Sequence, residues 1–100
     1  MLGARGMIVG TATITFRLHA SGSLKDKRSV VKRMTARVRD RFNVAVAEVD
    51  DLDTWNVVTL GMACVSNDAG HAHAMLQRAV TWLAEQRLDA DLVDYAIEMC

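Results

Sequence analysis

Eight of the twelve Lys and Arg residues of this chain fall in one stretch, residues 23–42, which reads SLKDKRSVVKRMTARVRDRF. Only Asp26 and Asp40 offset them, so residues 25–41 carry a formal charge of +6. Residues 42–100 set ten acids against Arg78 and Arg87, a balance of −8. A net charge of zero therefore hides a strongly polarised molecule. Side chains of this kind bind anions, above all nucleic-acid phosphates, through Coulomb attraction and counterion release. By themselves they make and break no bonds.

The start of the stretch is the sharpest point. A helix beginning at Ser23 presents bare N–H groups worth about half a positive charge, and each cation in its first turn costs ~0.3–1 kcal/mol. Lys25, Lys27 and Arg28 nevertheless crowd there. A phosphate held by the N–H groups and these three cations together would relieve the repulsion. Lys32, Arg33, Arg37 and Arg39 would extend the track along the helix. The competing reading is a solvated face, with Lys stems covering apolar core and Asp26 supplying local pairing.

Other candidate chemistry is thinner. Glu48, Asp50, Asp51 and Asp53 cluster as ligands of a hard cation would. Acids in a turn are ordinarily solvated, however, and no phosphate loop or GxGxxG accompanies them, so no metal is assigned. His71 and His73 are two apart, roughly 200° round a helix, and do not share a metal as an i, i+4 pair would. His19 stands alone in a polar turn. Cys64 lies in an apolar run and reads as a core residue, which removes it as a nucleophile. Cys100 ends the sequence. Trp55 reads as a lid over the core and Trp82 as packing. No catalytic residue and no cofactor is assigned, and the expectation is a binding protein, not an enzyme.

The elements that must position these residues follow from periodicity. Residues 8–18 alternate, with Ile8, Gly10, Ala12, Ile14, Phe16 and Leu18 on one side and Val9, Thr11, Thr13, Thr15 and Arg17 on the other. In the basic helix Leu24, Val31, Met34, Val38 and Phe42 form one apolar stripe, flanked by Lys25, Arg28, Lys32 and Arg39 on one side and Arg33, Arg37 and Arg41 on the other. Residues 44–49 form a short second strand. Residues 55–66 form a third, apolar on both faces, which predicts that its second face is also covered. Residues 69–87 form a helix with the stripe Ala72, Leu76, Ala79, Val80 and Leu83. Residues 92–99 form a last strand, with Val93, Tyr95, Ile97 and Met99 set against Asp94, Ala96 and Glu98.

The order β-α-β-β-α-β, closed by two right-handed crossovers, defines an α+β ferredoxin-like sandwich. Its four-stranded antiparallel sheet carries both helices on one face, with strands one and three central. Residues 1–6 are expected to be a flexible leader and residues 7–100 a single domain. No apolar run approaches the ~20 residues of a membrane span. MLGARG lacks the apolar segment of a secretory signal, and two cysteines give no disulfide framework, so a reducing cytoplasm is expected.

Three motifs in order, SLKDKRSVVKRM, RFNVAVAEVDDLDTWN and VSND, make residues 7–99 similar to the bacterial YlxP-like family of small proteins. Two departures are the leader and Asn56, which stands where the family motif leads one to expect Gln. The resemblance implies the same ferredoxin-like fold and brings no established activity. Its members are often encoded beside translation initiation factor two and ribosome-binding factor A, which implies association with the ribosome or RNA.

Readers of RNA that share this topology stack bases on sheet aromatics. Here the outward face of the first strand offers Val9 and three threonines, so docking on ribosomal or other structured RNA is expected through the helix and the phosphate backbone. The mildly apolar sheet face suggests a homodimer as a second arrangement. The alternative class is a protein-interaction module whose basic helix meets an acidic protein surface.

Overall fold

The structure, a computed structural model, describes residues 6–19, 22–86 and 88–100. The expected leader lies outside them except for Gly6. The elements are β1 (Ile8–Leu18), α1 (Leu24–Arg41), β2 (Ala45–Asp50), β3 (Val57–Ser66), α2 (Ala69–Ala84) and β4 (Ala90–Met99). The sheet runs β2-β3-β1-β4, and every neighbouring pair is antiparallel. This is the expected ferredoxin-like arrangement, with β1 and β3 central.

Period-two patterning sets the sheet's inner face. Ala12, Ile14, Phe16 and Leu18 of β1 lie buried beside Val58, Leu60, Met62 and Cys64 of β3. Ala72, Leu76, Ala79, Val80 and Leu83 of α2 close over them, with Val30, Met34 and Val38 of α1. Each large side chain removed from water stabilises by roughly 1.5–3 kcal/mol, so the layer contact holds the two helices down. Gly10 permits close approach at one end: a Cβ there would stand 2.9 Å from both Leu76 Cδ1 and Met99 Cε.

The pattern fails in three places. α2 ends at Ala84, and Glu85 closes it by donating its N–H to the carbonyls of Thr81 and Trp82. The expected end of that helix, Arg87, lies outside the described residues. The register between β1 and β4 shifts after Thr15, which faces Asp94, whereas Phe16 faces Leu92. Val93 is therefore the extra residue of a bulge and is 54% exposed, not a core residue, and Leu92 takes its place against the core. Finally, no described element covers the second face of β3, where Val65 is 66% exposed. Among the described residues no helix is long and apolar enough to cross a membrane.

Candidate nucleic-acid interface

The first turn of α1 is served from within the chain. Ser23 Oγ accepts the Asp26 N–H at 3.1 Å, and Asp26 Oδ2 accepts the Gly22 N–H at 3.2 Å. This is a variant of the capping box, and it sets a carboxylate against the positive end of the helix. The anion expected there already has a stand-in, the side chain of Asp26.

Lys27 departs furthest from expectation. It is 1% exposed, so it is no part of a phosphate track. Its Nζ donates to the carbonyls of Asp51 and of Thr54, the latter at 2.7 Å, with Leu52 O at the margin at 3.5 Å. Glu48 Oε2 stands 2.9 Å away. That approach is a close ion pair, not an aligned hydrogen bond, and Glu48 Oε2 is buried with no other donor. The buried ammonium thus meets two carbonyls by hydrogen bonds and one carboxylate by charge, which is what a buried cation requires. Sequence reasoning missed this, although Lys27 lies seven residues before Met34 on the apolar stripe and Glu48 shares the inward face of β2 with Val46.

The ammonium also shapes the acidic loop. Asp51 adopts a left-handed backbone (φ 55°), its N–H bonds Asp50 Oδ1 at 2.8 Å, and its Oδ2 accepts from Thr59 Oγ1 at 2.7 Å. The carboxylates of Glu48, Asp50 and Asp51 are thus turned to different partners, and among the described residues no group of three metal ligands converges. Trp55, expected as a lid over the core, is half exposed at the end of this loop.

The remaining cations divide by helical phase. At about 100° per residue, Lys25, Arg28, Lys32 and Arg39 fall within a sector of roughly 60°. Arg39 fixes where that sector points, since its Nη2 donates to Val46 O at 3.3 Å and so overhangs the outer edge of β2. Arg37 and Arg41 turn toward α2: Arg37 Nη1 lies 3.5 Å from Gln86 Oε1, and the Arg41 guanidinium sits 5.7 Å from the Trp82 ring centroid. Trp82 itself meets Phe42 edge-on at 5.8 Å, a packing role as expected. Lys25, Arg28, Lys32 and Arg33 are exposed, and among the described residues no carboxylate pairs with them.

The uncovered sheet face has the opposite sign. Asp91, Asp94 and Glu98 lie across from Arg17, Thr15 and Thr11 on that face, and His19 Nε2 meets Asp91 Oδ2 at 2.6 Å. His19, expected to stand alone, is thus paired. Cys64 is buried in the core and Cys100 is exposed.

A four-stranded antiparallel sheet under two helices, one of them strongly cationic, defines a small ferredoxin-like α+β protein. Residues 9–97 match the family described as "Protein of unknown function (DUF503)", and the chain belongs to that family. It is 36% identical over 76 residues to "Uncharacterized protein YlxP" of Bacillus subtilis (strain 168), covering 76% of this chain and 83% of that protein. The YlxP-like resemblance of the three motifs is thereby borne out. Among solved structures, "De novo designed protein Foldit4" superposes with a TM-score of 0.53 at 13% identity, covering 94% of this chain and 96% of that one. That likeness concerns the fold alone.

Proposed function

We propose that the chain is a non-catalytic cytoplasmic module that docks on structured RNA, ribosomal RNA foremost, through the outer face of α1. Lys25, Arg28, Lys32 and Arg33 contact phosphates, with Arg37 and Arg39 at the flanks. One observation carries this reading: four long cations on one helix, Lys25, Arg28, Lys32 and Arg33, stand exposed with no hydrogen-bond, ion-pair or ring partner among the described residues, whereas Lys27 on the same helix is fully paired. Acids on the uncovered sheet face steer a polyanion away from it and toward the helix. Backbone contacts of this kind give affinity with weak sequence preference. The family's association with translation genes points the same way. The test is co-sedimentation with ribosomal subunits at low salt. A variant with Lys25→Glu, Arg28→Glu and Lys32→Glu is expected to stay in the supernatant with its unfolding midpoint unchanged; a variant that still pellets discards the reading.

A second reading, a protein-interaction module or homodimer, is favoured by the uncovered face. Thr11, Ala45, Ala47, Val49, Gly61 and Ala63 line a shallow, mostly apolar groove of about 370 Å³ there. Self-association without RNA, measured by size-exclusion chromatography at low and high salt, would select it over the first.

A further inference from the structure

The outer edge of β2 is used by neither reading. β2 ends the sheet, so it pairs with β3 on one flank only. An edge strand turns every second residue's N–H and C=O outward. The capture of Val46 O by Arg39 marks Val46 as outward, and by the period of two it marks Glu48 as well. The side chains alternate in the other direction. Val46 is buried under the helix layer, whereas Ala45, Ala47 and Val49 are exposed on the open face.

We propose that the β2 edge accepts an added strand from a protein partner, an extended segment in which Asp or Glu alternates with Val or Ile. A strand placed about 4.8 Å outside β2 runs beneath Arg39, on the side of α1 whose helical sector also carries Arg28 and Lys32. Its residues facing the helix layer meet those cations and are therefore acidic. Its residues facing the other way extend the apolar surface of Ala45, Ala47 and Val49. Arg39 holds the place of the partner: an incoming N–H takes over Val46 O, and the freed guanidinium closes on a carboxylate in a two-pronged pair.

Charge selects this occupant. A second copy pairing β2 with β2 about a twofold axis would bring Arg28, Lys32 and Arg39 against themselves. The other edge, β4, is guarded by Asp91, Asp94 and Glu98 and broken by the bulge at Val93, whereas β2 carries cations above and small apolar residues below. The register shift between Glu48 and Asp50 limits the added strand to the part of β2 before it. The segment shares Arg28 and Lys32 with the RNA track, so peptide and RNA exclude one another, but strand addition is read separately, at the β2 amides.

The probe is a capped synthetic peptide of alternating glutamate and valine, titrated into the protein with amide hydrogen exchange followed by NMR. At saturation the Val46 and Glu48 amides are expected to exchange at least about tenfold more slowly. An alternating lysine–valine peptide should leave them unchanged. Arg28→Glu with Lys32→Glu should weaken the glutamate peptide about tenfold, the loss of roughly one charge-assisted pair. A glutamate–valine peptide N-methylated at every second residue should bind far more weakly to the unaltered protein. Equal binding of the methylated peptide would mean charge attraction without strand pairing, and would overturn the proposal. So would unslowed Val46 and Glu48 amides, or the same slowing by an RNA oligonucleotide alone, which would make the edge part of the RNA surface.

Discussion

The Lys27 ammonium lies 2.9 Å from Glu48 Oε2, tying the first turn of α1 to β2 beneath the helix that carries the chain's positive charge. The same ammonium holds the carbonyls of Asp51 and Thr54, so one buried cation fixes both the helix start and the loop after β2. Removing it would strand a buried carboxylate oxygen. Lys27→Met is expected to destabilise by about 3–5 kcal/mol in urea unfolding, the usual cost of breaking such a pair from one side. Adding Glu48→Leu should restore at least about 1 kcal/mol of that loss, because the uncompensated charge goes with it. Recovery stays incomplete, since the two loop carbonyls still lack their donor. A double variant no more stable than Lys27→Met would show that Glu48 reaches solvent once its partner is gone.

The pairing of Lys27 also sets how steeply RNA binding should depend on salt. If Lys25, Arg28, Lys32 and Arg33 each displace a counterion, the slope of log affinity against log salt is roughly −3 to −4. Replacing Lys32 by Gln should lower the magnitude of that slope by about one. A slope near zero in filter binding or fluorescence titration would remove phosphate contact as the source of affinity.

The alternation of β1 and the stripe of α2 were legible because each uses one period with no competing signal, and every residue assigned to the α2 stripe is buried. Lys27 reads as a surface cation when charge is weighed before phase, although its spacing from Met34 places it inward, where the structure has it. The apolar second face of β3 suggests a cover, yet only edge-strand Val49 beside Gly61 and Asp51 over Thr59 supply one and Val65 stays exposed, so local composition overstates burial. The bulge in β4 leaves no trace in composition, since a period-two pattern does not show where one strand sets two residues against one of its neighbour.

That bulge gives a prediction that inverts the one simple alternation makes. Leu92 faces Phe16 and packs against the core, whereas Val93 is 54% exposed. Leu92→Ala is expected to cost about 2 kcal/mol, the low end for a partly buried leucine. Val93→Ala should stay within about 0.5 kcal/mol, as a surface change does. Equal losses at the two positions, measured by chemical denaturation, would place both side chains against the core and remove the bulge.

Two glycines separate close packing from mere proximity. A Cβ on Gly10 would lie 2.9 Å from Leu76 Cδ1 and from Met99 Cε, and Leu76 is fully buried with no room to retreat. A Cβ on Gly61 would lie 2.8 Å from Val49 Cγ1, but Val49 is 54% exposed on an edge strand and turns toward solvent. Neither glycine has a positive φ, so backbone strain does not enter. Gly10→Ala is therefore expected to destabilise by about 1–2 kcal/mol through overpacking. Gly61→Ala should come out within about 0.5 kcal/mol of neutral, its small rearrangement offset by the lower entropy of the unfolded chain. Truncating Met99 to Ala beside Gly10→Ala tests the cause: if the clash is with Met99, the two changes together cost less than the sum of each alone. Strict additivity would assign the strain to Leu76, the side chain that holds α2 against the sheet.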